Sequence, residues 1–546
     1  MCGILLSIGT NGSNELNGLL EAIARRGPDH QMNMEVEPTV TIHSSVLHLR
    51  GSHGTQQQPM QDKNGNILAF NGEIFGGITV DHSQNDAKCL SDHLSLCRTE
   101  SDILAVFGRI QGEFALVFYH SESRCLYFGR DYLGRRSLLL HASKKGHILI
   151  SSVGLSLQTA DCQDPAWNEV STQGLFKIDL SKTKTIECIP WSSTDTFVSQ
   201  SLEINSTIPS QLDLTTPTTF DSLPEIQPDS LMHSYMHQFE SVLHQSVNRR
   251  VESIPMNQSG DSDARLAVLF SGGLDCMAIA ALCHRVVPHE EPIDLLNVSF
   301  ENPRIMKHAK PPIEQIYDVP DRLTGRKGWK ELSELYPERE WRFVEIDVAY
   351  QEVVEMRQRI TDLVAPLDTV MDLSISMAFW FAARGRGVCK SHKDNLYKQY
   401  ESKAKVLLSG LGADEQLGGY SRHRVQFQKT SWQGLVTEIQ RDVNRISTRN
   451  LGRDDRIISD HGKEVRFPFL DEDVIQFLCR VPINLKVDPR FSKGIGDKLL
   501  LRLVANKILG LDRASTEPKR AIQFGARTAK MEHGQQKGQD KLLYEE

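Results

Sequence analysis

The sequence predicts two domains of different class: an N-terminal α+β sandwich, with antiparallel sheets between helices, followed by an α/β domain on a parallel sheet. Three observations carry that prediction. Residues 1 to about 190 are short β-rich runs broken by Gly, Asn, Asp and Ser, such as TVTIHSSVLHLRG, NILAFNGEIF, GEFALVFYH and CLYFGRD, the texture of stacked antiparallel sheets. From about residue 232, apolar strands (ARLAVLF, PIDLLNVSF, AKVLLSG) alternate with helices, the texture of a parallel sheet covered on both faces. Between them runs a stretch rich in Ser, Thr, Pro and Asp, from SSTDTFVSQ to PEIQPDS, which reads as a tether with little packed structure. The boundaries so drawn are 2–190, a linker at 191–231, 232–530, and a polar tail at 531–546 that is expected to fray.

A chain of 546 residues is too long for a single core. Its 39% apolar and 24% charged residues are ordinary for a globular protein, and a net charge of −8 disfavours nucleic acid as a partner. No apolar run reaches the length of a membrane span, and no basic and then apolar leader opens the chain. A cytoplasmic location is the expectation. The ten cysteines include no C-x-x-C pair, so neither a zinc site nor a disulfide framework is expected.

The first element is the run MCGI. If Met1 is removed, Cys2 carries a thiol and a free α-amine on one residue. The thiol has a pKa of about 8.5 and the amine about 7.7–8.0, close enough for the amine to pass a proton to and from sulfur. Nucleophile and base then come from one residue, and Gly3 lets a substrate approach the backbone. A helix follows before Pro28, with Leu16, Leu19, Leu20 and Ile23 on one face.

In the second domain the strand ARLAVLF runs into SGGLDC and then a helix. Free N–H groups and the helix dipole converge there on one anion. Gly272 and Gly273 allow phosphate close, Ser271 donates a hydroxyl, and Asp275 implies a bridging Mg²⁺. The alternative is a tight turn with a helix-capping Asp. A second strand end, KVLLSG before LGADEQLGGY, offers Ser409, Gly410 and Gly412 with Asp414 and Glu415. In a parallel sheet both loops lie at the carboxyl ends of strands, where ligands bind. Neither is a Walker A sequence.

Taken together, these motifs resemble the glutamine-dependent asparagine synthetase family. MCGI is similar to the start of a class II glutamine amidotransferase, and SGGLD after an apolar strand is similar to the pyrophosphate loop of its ATP-pyrophosphatase domain. NGEIF, FGRDYLGRRSLL, GLGADEQLGGYSRHR, RNLGRDDR and HGKEVRFPFLDE extend the resemblance over nearly the whole chain. It implies an Ntn-type sandwich followed by an ATP-pyrophosphatase sheet. It implies that Cys2 attacks the side-chain amide of glutamine and that RGPD, Arg26 to Asp29, lies near the catalytic centre. Arg50 would bind the glutamine carboxylate, Asn71 and Gly72 would form the oxyanion hole, Glu73 would hold the substrate, and Asp86 would pair with its amine. Ser271, Gly272, Gly273, Asp275, Ser409 and Gly410 would hold ATP and pyrophosphate. Val298 would contact adenine, Asp275 and Asp414 would bind Mg²⁺, and Lys519 would stabilise developing phosphate charge.

The implied reaction adenylates the β-carboxylate of aspartate, releasing pyrophosphate, and then displaces AMP with ammonia from the Cys2 site. The implied partners are glutamine, ATP, aspartate and a second copy of the chain as a homodimer, without nucleic acid or membrane. The pattern departs from the family in three places. Cys276 replaces a Ser in the first loop. Leu411 replaces a Glu proposed to handle the proton of the attacking ammonia, and a lost general base costs about 10²–10⁴ in rate. The segment VAPLDTVMDLSIS does not match the family where the acid substrate is recognised. Two rival readings follow: a scaffold, regulator or glutaminase without synthetase activity, and an amidotransferase with another carboxylate substrate.

Overall fold

The computed structural model describes residues 2–9, 15–51, 54–81, 83–144, 146–155, 166–182, 185–191, 202–208, 221–256, 263–304, 306, 312, 315–391, 393, 397–529, 531 and 537–542. In the N-terminal half, two six-stranded sheets lie face to face. The first is centred on Gly3–Ile8, which pairs antiparallel with Val40–Val46 and Ile148–Ser151. The second is centred on Gln111–His120, which pairs antiparallel with Ile67–Gly76 and Cys125–Arg130. Side chains alternate across each strand. Ile4, Leu6 and Ile8 therefore meet Ala69, Val117 and Phe128 between the sheets. Leu5 faces the other way, toward Leu19 and Ile23 of the helix Glu15–Arg26. On the outer face of the second sheet, Phe70, Leu116 and Phe118 pack on the helices Asp86–Leu94 and Glu100–Arg109. The layers run helix, sheet, sheet, helix, as the alternation of apolar residues requires.

The C-terminal half holds a seven-stranded sheet. Five strands are parallel, in the order Trp341–Val348, Ile293–Phe300, Leu266–Leu269, Val406–Leu408, Glu464–Arg466. All eight residues of Ile293–Phe300 are buried, as an apolar strand covered on both faces must be. The sheet is mixed, because a hairpin of Arg386–Ser391 and Tyr397–Glu401 adds two antiparallel strands at one edge. The outermost strand, Tyr397–Glu401, is mostly exposed and carries Lys398 and Glu401.

The core of this half is continuous with the outer face of the first N-terminal sheet, from Leu5 and Leu19 through Leu451 and Ile457. Within the segment read as a tether, residues 202–208 lie along the C-terminal half. Ile204 is buried there, and Asn205 donates its N–H to the Cys479 carbonyl at 2.7 Å. In the tail, Val370 and Met371 donate N–H groups to the carbonyls of Asp540 and Gly538 at 3.0 and 2.9 Å, and Leu542 is buried. The rest of the tether and tail falls largely outside the described residues.

Candidate functional site

Cys2 precedes the strand Gly3–Ile8 at its buried end. Its N–H donates to Asn71 Oδ1 at 2.9 Å. That contact turns the Asn71 amide so that Nδ2, also buried, has no hydrogen-bond partner among the described residues. A buried donor left open beside a thiol is the geometry an oxyanion needs. Gly72 follows on the same strand. A Cβ there would stand 2.1 Å from the Glu113 carbonyl and 2.7 Å from Phe114 Cα, so only glycine fits against the neighbouring strand. Gln58, which sequence reasoning missed, donates Nε2 to Cys2 Sγ at 3.5 Å and accepts the Phe70 N–H at 2.7 Å. Burial pushes the Cys2 thiol up, against the pull of the adjacent N-terminal charge.

The acidic and basic residues expected around glutamine are gathered here, but they are paired with one another. Arg50 donates Nη1 to Asp86 Oδ1 at 2.9 Å and Nη2 to the Val80 carbonyl at 2.9 Å, and its Nε has no hydrogen-bond partner among the described residues. Asp86 also accepts the Ile74 N–H at 2.8 Å. Glu73 is buried, with Oε1 3.1 Å from Arg466 Nη2 and Oε2 without a hydrogen-bond partner among the described residues. Burial raises its carboxyl to about 8, Arg466 opposing and the Asp86 and Glu464 charges adding. Of RGPD, Arg26 reaches the site, donating Nε to the Cys2 carbonyl at 3.3 Å. Asp29 instead faces Lys405 of the other half, at 2.9 Å.

The second cluster lies at the carboxyl ends of the parallel strands. Gly272 has φ +76°, and a Cβ there would meet the Thr324 carbonyl at 2.3 Å, so the turn needs glycine on both counts. Gly410 lets the two loops close on each other, since its Cβ would stand 2.8 Å from Asp275 Cβ. Asp275 and Asp414, each in the first turn of its helix, meet at Lys498. Its Nζ lies 2.8 Å from both oxygens of Asp275 and 2.9 Å from Asp414 Oδ1. Lys519 Nζ is 3.0 Å from Asp414 Oδ2 and 4.7 Å from the centre of the Tyr420 ring.

Burial raises Asp275 against the pull of Lys498, whereas the two lysines hold Asp414 well below the usual carboxylate range despite its burial. These groups, with Ser271, Gly273, Val298, Ser409 and Gly410, line a cavity of about 450 Å³. Lys498 is the residue sequence reasoning missed. It stands just before the apolar run LLLRLVA, in left-handed backbone at φ 55°, with no local sequence signal to single it out.

The departures from the family pattern are also placed. Cys276 lines the same cavity, its thiol 3.8 Å from Ser271 Oγ and donating to the Gly273 carbonyl at 3.1 Å. Leu411 puts an apolar side chain on the wall of the cavity. Glu415 does not take over the vacated role freely, because its carboxylate is occupied. Oε1 accepts from the Tyr420 hydroxyl at 2.5 Å and Asn450 Nδ2 at 3.1 Å, and Oε2 from the Gly412 N–H at 3.2 Å. Met371, Asp372 and Ile375, from the unmatched segment, line the same cavity.

Between the clusters lies a buried network of charge. Asp455 Oδ2 accepts from Arg26 Nη2 at 2.8 Å and from the Ser137 N–H at 3.1 Å, and Oδ1 is 3.7 Å from Arg136 Nη1. Arg136 also pairs with Glu113 at 3.2 Å and Glu464 at 3.4 Å. All five ionic side chains are within 1% of full burial.

The comparisons with known proteins agree with this layout. The family model for the glutamine amidotransferase domain matches residues 1–190, and that for asparagine synthase matches residues 427–543. The chain is 40% identical to asparagine synthetase domain-containing protein 1 of Homo sapiens over 631 residues, covering 99% of the chain and 97% of that protein. It is 36% identical over 543 residues to an asparagine synthetase domain-containing protein of Saccharomyces cerevisiae, covering 98% and 92%. A counterpart from Drosophila melanogaster is 33% identical over 580 residues, covering 97% and 98%.

Proposed function

From the premise that the chain belongs to the family of asparagine synthetase domain-containing proteins, we propose that it is a glutamine-hydrolysing, ATP-dependent ligase. In this reading it moves the amide nitrogen of glutamine onto an adenylated carboxylate, that of aspartate, giving asparagine, AMP and pyrophosphate. The observation that carries the reading is the convergence of Asp275 and Asp414, from two strand-end loops, on lysines inside one cavity. The same chain sets a buried thiol beside the Asn71 amide, whose Nδ2 has no partner among the described residues.

In the first half-reaction, with Met1 removed, the Cys2 amine takes the thiol proton as sulfur attacks the glutamine amide carbon. Asn71 Nδ2 and the Gly72 N–H receive the oxyanion. The amine returns its proton to the departing ammonia, and water later cleaves the thioester to glutamate. Asp86 and Glu73 together hold the substrate ammonium, and Arg50 its carboxylate. Because only ionised Glu73 attracts an ammonium, KM for glutamine is expected to rise as pH falls below about 8. Initial rates of glutamate release over a pH series test this, and a KM unchanged across that range would remove Glu73 from the role.

In the second half-reaction, the aspartate carboxylate attacks the α-phosphorus and pyrophosphate leaves. The loop amides, Ser271, Lys498 and Lys519 neutralise the phosphates. Mg²⁺ fits the donor set, because Asp275 and Asp414 already approach a single cation, Lys498 Nζ, within 2.9 Å. When bound, it would offset phosphate charge. Its remaining ligands would come from phosphate and water.

Incubation with Mg·ATP, glutamine and aspartate, with asparagine, AMP and glutamate measured together by mass spectrometry, tests the whole reading. Lys519→Met is expected to cut AMP and asparagine by about 10²–10³-fold, the scale of one electrostatic stabiliser, while basal glutamate release persists. A second reading is favoured by Leu411 and the engaged Glu415: a glutaminase whose synthetase half is impaired. Glutamate without AMP or asparagine would establish it.

A further inference from the structure

One residue belongs to both clusters. Arg466 ends the strand Glu464–Arg466 and is fully buried. Its side chain enters the amidotransferase half, where Nη2 lies 3.1 Å from Glu73 Oε1. Its backbone stays in the sheet of the other half, where its carbonyl accepts the Ser409 N–H at 3.0 Å and Leu408 is its register partner. Ser409 opens the second strand-end loop, the one that carries Asp414. A glutamine-site carboxylate and a nucleotide loop are therefore separated by a single amino acid.

The guanidinium is held firmly enough to transmit a displacement. Nε donates to Glu464 Oε1 at 2.6 Å, and Nη1 donates to the Arg250 carbonyl at 2.5 Å and to Ser253 Oγ at 2.6 Å. Arg250 in turn pairs with Glu113 at 2.9 Å, and Glu113 sits opposite Glu73 in the register of neighbouring strands. On the far side of Glu73, Oε2 has no hydrogen-bond partner among the described residues. An arriving ammonium would draw on a carboxylate whose only ion-pair partner among the described residues is Arg466. Close packing leaves the arginine no room to relax without moving its strand.

We propose that Arg466 couples the two sites, so that glutamine held at Glu73 changes the affinity of the Ser409–Asp414 loop for a nucleotide, and nucleotide changes the affinity for glutamine by the same factor. The reciprocity is a thermodynamic requirement. This inference rests on the glutamine and nucleotide sites proposed above.

The test uses the full chain with Cys2→Ala, so that glutamine is bound but not consumed. Calorimetry measures the affinity for Mg²⁺ with the α,β-methylene analogue of ATP, with and without saturating glutamine, and then the reverse. A factor of about five or more in both directions, the lower range of site-to-site coupling, is expected. In Arg466→Lys on the same background, each ligand is expected to bind alone and the factor to fall to about one. Both ligands binding with a factor of one in the Arg466 chain would overturn the coupling and leave the proposed function standing. Binding of glutamine without nucleotide would overturn both. A folded Arg466→Lys chain with undiminished coupling would remove Arg466 as the route. If that variant does not fold, the cycle on the Arg466 chain still decides whether coupling exists.

Discussion

Replacing Cys2 by alanine is expected to lower glutamine hydrolysis by about 10⁴-fold or more, the scale of losing a catalytic nucleophile. Stability should change little. The thiol is one small buried group, and its loss costs about 1 kcal/mol. The N–H that orients Asn71 is backbone and survives the change. Glutamate release and a melting curve on the same preparation measure the two effects. The variant also separates the halves of the proposed reaction. Supplied with ammonium salt in place of glutamine, it should keep whatever Mg·ATP-dependent amidation the chain possesses. Glutamate release at the original rate would show that Cys2 is not the nucleophile. Intact mass adds a condition, because an N-terminus that retains Met1 leaves no Cys2 amine to act as base.

The largest expected effect on stability is at Asp455. Asp455→Ala removes the carboxylate that receives Arg26 and stands beside Arg136, both fully buried. Breaking a buried pair from one side leaves uncompensated charge and costs about 3–5 kcal/mol. A fall in Tm of roughly 10 °C is expected for a domain of this size. Asp455→Asn can still accept the Ser137 N–H and should lose less. The alanine variant should also lose glutaminase activity, because Arg26 donates to the Cys2 carbonyl as well as to Asp455. A melting temperature unchanged in Asp455→Ala would mean that the interface relaxes or admits water around the arginines.

What was legible in the sequence is what has a local signal. The apolar run IDLLNVSF declared a buried strand, and SGGLD and GLGAD each placed glycines and an acid within one turn. The structure brings Cys2 to Asn71, and Asp275 to Asp414. The partners were not legible, because they are set by how distant segments close. Lys498 is 223 residues from the Asp275 it neutralises, and nothing near it marks it off from an ordinary lysine. Arg466 sits in a strand of three residues, too short to show a period. That Arg50 and Asp86, both expected at the substrate, also pair with each other is visible only in three dimensions. The edge hairpin carries no clear alternating signal, because Arg386–Ser391 is mostly half-buried and Tyr397–Glu401 is mostly exposed.

The two carboxylates and two ammonium groups at the ends of the parallel strands sum to zero charge. An electroneutral pocket exerts little long-range pull on a bare divalent ion, and Lys498 Nζ already stands where the two acids are nearest. Free magnesium alone should therefore bind weakly and leave the melting curve unmoved, as should its removal by a chelator. Under the function proposed above, the polyphosphate would arrive carrying its own counter-ion and draw the lysines onto its oxygens, which would free the aspartates as ligands. On that proposal the expected order of addition follows from the resting electrostatics: nucleotide and metal would enter as one complex, neither preparing the ground for the other.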